Sequence, residues 1–450
     1  MPHARHLGLA ALVALSALSL AALGLFPSAS AEPPAPPPSP SAPPPPAEQL
    51  LGNLVVSASA LRTLPKIGVV PSLSSDPNDV TVHTVVRRDL DLCGEFELLG
   101  DAQVPDGAYF DPVDVKAWQK KGAEAVVKLA GKKLEGGKVE LEAKAYLVKL
   151  GDKPVFEKKV TVELASVRTE AHRLADVVIG ALTGQNGGFA SRLTFAFGSG
   201  KKRQVFRVDA DGFDAKALSP EGRTALTPAF GKDGKLFYAG SEGGSEFRVY
   251  TEGVDAPLPL PVKGSVYGLA FSKDRAQVAL SIGVGDSIKV FLGADLASIR
   301  EVPGTPLALS PAFTPSGKLA FVGEGKYGTR LFVDGKAVTP DGLLVASPSF
   351  CNHPDGVRAI LSVTVGRSSD LVSTGEKGGG LARLTQGQGS NSAPACSPDG
   401  RLVAFFSTRT SGEGPGLYVM RTDGYRPKRI ASLLGDSLRW DPLPAPAPTK

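Results

Sequence analysis

From about residue 190 onward one short pattern recurs: an apolar strand, often Pro-Ala-Phe, then a turn with Asp-Gly, then Lys/Arg-Leu-x-x-Phe. Its instances are Pro228-Ala229-Phe230 with Asp233-Gly234, Leu269-Ala270-Phe271 with Asp274-Arg275, and Pro311-Ala312-Phe313 with Ser316-Gly317. Pro348-Ser349-Phe350 with Asp355-Gly356 and Pro394-Ala395-Cys396 with Asp399-Gly400 follow, and Leu438-Arg439-Trp440 is a sixth anchor. Successive anchors are 41, 42, 37, 46 and 44 residues apart. Each unit holds about four strand-like stretches. That period and content indicate the blades of a β-propeller. Asp-Gly suits the hairpin after each inner strand, because Gly tolerates positive φ.

The sixth anchor sets the count. Only ten residues follow Trp440, too few to finish a blade. Leu193 to Phe197 and Gln204 to Asp209 read as strands with no anchor before them. Trp440 therefore supplies the inner strand of the blade that those strands begin, which joins the two ends and closes a six-bladed ring.

Residues 51–187 read differently. Ile67 to Pro71 is a buried strand, and Val82, Val85, Val86 and Leu90 recur at helical spacing up to Cys93-Gly94. A strand over Phe96 to Leu99, a helix over Val113 to Lys121 around Trp118, and a strand over Ala123 to Ala130 follow. Lys138 to Leu150 and Lys153 to Ala165 alternate as a hairpin, and Arg168 to Leu182 closes the block as a helix before Thr183-Gly184. The order β-α-β-α-β-β-β-α argues for helices against a mixed sheet. The fold expected is thus an α/β N-terminal domain followed by an all-β six-bladed β-propeller over residues 188–450.

Before these domains, residues 1–31 have the form of a cleavable export signal. Arg5 precedes an apolar run from Leu7 to Phe26, and Ala29-Ser30-Ala31 offers a small-residue cleavage site before Glu32. Pro33 to Pro46 is almost all Pro, Ala and Ser, so residues 32–50 are expected to be an extended linker. The mature chain is then expected to be soluble and exported, with no membrane span after cleavage; the alternative is an uncleaved anchor, since the apolar run could just span a bilayer. Its 50 Lys and Arg against 45 Asp and Glu leave a net charge of +5, too thin for a nucleic-acid surface. The charge is divided unevenly, −1 over residues 51–187 and +7 over residues 188–450.

The three Cys exclude a disulfide-stapled scaffold, and the absence of Cys-x-x-Cys pairs argues against a zinc site. Cys351 and Cys396 fall on inner strands of neighbouring blades. They could form a disulfide in an oxidising compartment, but Cys396 replaces an anchor whereas Cys351 follows one, so strand alternation makes them face opposite ways, and buried thiols are the expectation. Gly435-Asp436-Ser437-Leu438 spells a hydrolase motif but has no His after it. Asp209-x-Asp211-Gly212 begins like a calcium loop but lacks the remaining ligands. Gly198 to Lys202 lacks the outer residues of a phosphate loop. All three read as turns. His353, alone in the propeller, reads as a loop side chain. No cofactor, metal or catalytic residue is expected.

The residues that carry a family resemblance are Ile67-Gly68-Val69-Val70-Pro71, Asp89 to Phe96, and Trp118 followed by Gly122 to Val127. The strongest stretch is His172-Arg173-Leu174-Ala175-Asp176, then Leu182-Thr183-Gly184 and Phe189-Ala190-Ser191-Arg192. In the propeller, Val208 to Gly212 and Leu417 to Gly424 match. On these the chain resembles the TolB family of periplasmic Tol-Pal proteins over nearly all of residues 54–445. Phe or Cys stands at most anchors where that family has Trp, and the Pro-rich segment is an addition.

The resemblance implies a periplasmic, monomeric, non-enzymatic adaptor. Its propeller would bind the peptidoglycan-associated lipoprotein Pal, and its N-terminal segment, here Leu54, Val55 and Val56, would contact TolA. The pair would support outer-membrane integrity and envelope constriction during cell division. The loops entering the inner strands converge on one mouth of the channel, which suggests Thr227, Ser265, Tyr267, Ser310, Asn391, Ser392 and Arg439 as partner contacts. Leu307, Leu309, Leu343 and Leu344 offer an apolar anchor there instead. His172 and Asp176, four apart on one helix, could pair with each other; the resemblance favours them as an inter-domain contact, and the alternative is a solvated helix face. The competing reading is a secreted propeller enzyme or binding module acting on a polysaccharide or peptide.

Overall fold

The computed structural model describes residues 45–52, 63–244, 246–353 and 356–443. The export segment, most of the Pro-rich stretch, and Leu54, Val55 and Val56 lie outside the described residues. Among the described residues no helix is long and apolar enough to cross a membrane.

The end of the expected linker is ordered instead. Ala47–Leu51 form a short helix, α1. Glu48 pairs with Arg383, 335 positions away, at 2.6 Å. Leu51 is buried with Leu343, Val345 and Val363 of the propeller. Composition misleads at this point because two leucines and one acid suffice to dock where an apolar seam and a buried guanidinium await them.

The α/β domain follows the expected order. Strands β1 (Lys66–Val69), β2 (Glu97–Leu98), β3 (Ala125–Lys133), β4 (Lys138–Leu147) and β5 (Phe156–Glu163) form one sheet in the order β2-β1-β3-β4-β5. The first three are parallel to one another, and β4 and β5 are antiparallel additions. Helix α2 (Pro77–Leu92) starts where the Asp76 carboxylate accepts the Asn78 N–H at 2.9 Å, with Pro77 at its first position. Its Val82, Val85, Val86 and Leu90 are fully buried. Helix α3 (Val115–Lys120) places Trp118 against Gly68. Helix α4 (Val167–Thr183) ends at Gly184, which takes the left-handed conformation of a helix C-terminus.

The propeller opens with β6 (Ser191–Phe197), β7 (Gln204–Asp209) and β8 (Lys216–Ala217). The next sheets are β9 (Arg223–Phe230), β10 (Leu236–Glu242) and β11 (Arg248–Thr251), then β12 (Val266–Phe271), β13 (Val278–Val284), β14 (Ser287–Gly293) and β15 (Arg300–Glu301). A further sheet comprises β16 (Ala308–Phe313), β17 (Leu319–Glu324), β18 (Thr329–Val333) and β19 (Lys336–Ala337). It is followed by β20 (Val345–His353), β21 (Gly356–Val365), β22 (Ser368–Gly375) and β23 (Ala382–Arg383). The last comprises β24 (Asn391–Cys396), β25 (Leu402–Ser407), β26 (Gly416–Arg421) and β27 (Lys428–Ala431). Strand β28 (Asp436–Pro442) then pairs antiparallel with β6, Trp440 opposite Leu193, so the sheet β28-β6-β7-β8 closes the ring of six blades.

Each inner strand carries a bulge just before its anchor. In five blades a non-glycine residue there has positive φ: Thr227, Ser310, Ser347, Ala393 and Ser437, at 44° to 54°. The bulge accounts for the repeated small or polar residue ahead of the anchor.

Cys351 and Cys396 form a disulfide with Cα atoms 5.3 Å apart, contrary to the expectation of free thiols. Alternation does put them on opposite faces of their own blades. Adjacent blades, however, stack with the front of one against the back of the next, so opposite faces bring the two sulfurs together. Cys93 is a buried free thiol at the end of α2.

Candidate partner-binding site

Successive strands of a blade run antiparallel, so the loops alternate between the two faces of the ring. Loops after the inner and third strands share one face. Loops after the second and outer strands share the other. The α/β domain sits on the first face, over the last two blades. Arg421 donates to the Gly94 carbonyl at 3.2 Å, Arg426 to Phe96 at 2.9 Å, and Lys428 to the Asp91 carboxylate at 2.5 Å. Arg88 Nε donates to the Asp211 carbonyl at 2.9 Å, and Gln185 to the Asp399 carbonyl at 3.2 Å. Beneath these polar contacts one apolar core runs from Val85 and Ile179 through Phe189 to Phe195, Leu417 and Trp440. The second face, which the entering loops reach, is left clear of this domain.

Among the described residues, eight large apolar side chains of the propeller are exposed. Phe197, Tyr267, Val284, Tyr327, Leu344 and Leu434 belong to second-face loops or strand ends. Only Phe213 and Val254 belong to the first. Tyr267 is 43% exposed and Leu344 50%. Apolar groups gathered on one face with polar loops between them are the surface expected of a protein-docking site.

The residues expected from sequence fall into distinct places. Tyr267 stands on this face at the bulge of its inner strand. Thr227 and Ser310 are half-buried bulge residues, and the Thr227 hydroxyl has no hydrogen-bond partner. Ser265 is tied inward, its hydroxyl accepting the Phe247 N–H at 3.0 Å, and Ser392 is half-buried. Asn391 departs from the expectation. It is fully buried, and its carbonyl accepts Ser362 and Ser369 hydroxyls. Arg439 lies inside the channel. Leu343 is core, Leu307 and Leu309 are half-buried, and Leu344 is exposed. Sequence reasoning missed Phe197, Val284, Tyr327 and Leu434. Three of them end a strand or precede one, where alternation assigns no face, while Tyr327 sits in a Gly-Lys-Tyr-Gly turn that could have drawn notice.

The junction between domains is built on α4. His172 and Asp176 both lie there but make no hydrogen bond to each other. His172 Nδ1 is 2.7 Å from the carboxylate of fully buried Asp89, and its Nε2 faces Asp209 of the propeller at 3.9 Å. Asp176 accepts the Phe189 and Ala190 N–H groups at 2.7 and 2.8 Å, holding the chain as it enters the propeller. Arg168 grips Asp209 and Asp211 at 2.7 and 2.5 Å. The turn read as an incomplete calcium loop is thus a socket for α4. His172, Asp209 and Asp211 bring ligand-type atoms within 4.8 Å of one another, but both carboxylates already pair with Arg168.

Burial pushes Asp89 up to about 7 despite the opposing His172. Burial also works against charge on His172, but Asp89, helped by Asp209 and Asp211, prevails and lifts it to about 10. Burial raises Asp176 to about 6 against its two backbone donors.

Comparison with known proteins places these features in a family context. Residues 53–151 match the TolB amino-terminal domain. The Tol-Pal system protein TolB of Anaeromyxobacter dehalogenans (strain 2CP-C) is 27% identical over 58% of this chain and 62% of its own length. That of Thiobacillus denitrificans is 32% identical over 33% of this chain and 35% of its own. The chain therefore spans less than two thirds of these curated relatives. The crystal structure of TolB from Acinetobacter baumannii superposes with a TM-score of 0.70, at 19% identity, over 85% of this chain and 98% of that one. It shares the fold of an α/β domain before a six-bladed propeller.

Proposed function

From a chain that resembles TolB in its amino-terminal domain and in the fold that follows, we propose a TolB-type adaptor of the Tol-Pal system, acting in the periplasm without catalysis. Its propeller binds a Pal-type peptidoglycan-associated lipoprotein, and the segment containing Leu54, Val55 and Val56 contacts TolA. The observation that carries this reading is the apolar second face, where Tyr267, Tyr327, Leu344 and their neighbours stand exposed on the side away from the α/β domain. Aromatic anchors in a polar surround are the usual energetic centre of such interfaces.

Coupling between the two partners requires each to prefer a different state of the domain junction. The network of buried His172 and Asp89 with half-buried Arg168 and Asp209 supports such a role, because it ties helix α4 to the propeller through partners on both sides. A photo-crosslinking residue at Tyr267 or Tyr327 tests the docking face in cells. Adducts to the outer-membrane lipoprotein are expected there and not from Lys132 on the α/β sheet; the reverse pattern would refute the assignment. TolA affinity measured with and without saturating Pal tests the coupling, and equal values would remove it.

A further inference from the structure

The propeller channel holds a cavity of about 170 Å³, lined by the Ala and Phe anchors together with Arg275, Arg439 and Asp441. It continues toward the ends of the inner strands into a second space of about 190 Å³, where Lys273, Asn352 and Ser397 join the lining. That end belongs to the first face of the ring, so this site goes beyond the docking face described above.

One inner strand breaks the pattern of the others. Where five blades place Ala229, Ala270, Ala312, Ser349 and Ala395, the sixth places Arg439. A guanidinium has five N–H donors. Among the described residues Arg439 makes a single long hydrogen bond, 3.4 Å to the Leu269 carbonyl. Burial holds its pKa below the ordinary arginine range, with Asp441 opposing weakly. Asp441 itself is taken: Arg275 binds it at 2.5 Å, and the field of Arg192, whose ring partner is Phe230, also falls on it. The channel thus sets several guanidinium groups around one carboxylate. A half-buried guanidinium whose nearest carboxylate is already paired with another arginine is a costly arrangement, and the space beside it can admit a small anion.

We propose that the channel is a carboxylate-binding site, in which Arg439 pairs with the bound carboxylate, Arg275 adds a second positive charge, and the Phe and Trp440 collar receives a short apolar stem. A guanidinium fork matches a carboxylate in bidentate fashion, and it does so more strongly where water is excluded. The ligand is either a free small carboxylate or an acidic side chain offered by another protein. The shared chemistry is the same.

The test is a thermal-shift and calorimetric titration of the full mature chain with sodium acetate against sodium chloride at matched ionic strength. A second arm uses the blocked peptide acetyl-Gly-Glu-Gly-amide. Saturable stabilisation by acetate beyond chloride is expected. Arg439→Met should weaken it about tenfold or more, the loss of a bidentate ion pair. Asp441→Asn removes the competing carboxylate and should strengthen acetate binding severalfold. If Arg439→Met fails to fold, Asp441→Asn alone decides. Response to acetate alone supports the site and assigns it to free anions, whereas response to both probes supports it and assigns it to an inserted acidic side chain. Equal effects of acetate and chloride on the wild type, or an acetate response unchanged by Arg439→Met and by Asp441→Asn, would overturn it.

Discussion

At the scale of single residues, the Asp89–His172 pair makes the strongest demand. Both pKa values are raised, to about 7 and about 10, so the folded chain holds a proton more tightly than the unfolded one. For His172 the contribution is complete below its unfolded value near 6.5 and is lost as pH rises toward 10. Stability should therefore fall between pH 6.5 and 9, by up to about 1.4 kcal/mol per pH unit. Denaturant midpoints across that range would show it, and the double variant Asp89→Asn, His172→Gln should flatten the slope. The family resemblance pointed to His172 at the junction, but its partner was not legible, because Asp89 is 83 positions away on another helix. Asp176 was legible in the same way, yet spacing on one helix suggested a pairing with His172 that the fold does not use. The disulfide is a second residue-scale prediction. It closes a separation of 45 residues, and Cys351→Ser with Cys396→Ser should cost about 2–4 kcal/mol in denaturant unfolding.

At the scale of elements, strands and helices were readable wherever burial imposes a period. The run from Val82 to Leu90 and the hairpin of β4 and β5 stand as expected because one face of each meets the core. The inner-strand bulges were not readable, since nothing in a two-residue period announces an extra residue. They explain why Thr227 and Ser310, chosen as surface contacts, are bulge residues. A β-branched residue in the left-handed region is strained. Thr227→Gly should therefore stabilise the chain by up to about 1 kcal/mol, while Ala229→Gly in the same strand should destabilise it. In the α/β sheet, a Cβ on Gly68 would lie 2.2 Å from the Trp118 ring. Gly68→Ala should accordingly destabilise by about 1–3 kcal/mol, read as a lower melting midpoint of the purified protein.

The architecture of the whole molecule was legible almost entirely, because a period of about 42 residues and one unpaired anchor admit few solutions. The face proposed for docking was legible only in part. Entering loops locate one side of it, as Tyr267 and Leu344 show, while Phe197, Val284 and Tyr327 come from the ends and turns of second strands and emerge only when the ring is closed. The α/β domain, fused to the last two blades by a common apolar core, leaves that face open. The central claim is that a lipoprotein docks there. It is tested most directly by calorimetric titration of the mature chain with the peptidoglycan-binding domain of a Pal-type lipoprotein, for the wild type and for Tyr267→Asp combined with Tyr327→Asp. Saturable one-to-one binding by the wild type, weakened at least about tenfold in the double variant, is the predicted result. Equal affinity in the two proteins, or no binding by the wild type at micromolar concentrations, would contradict the assignment.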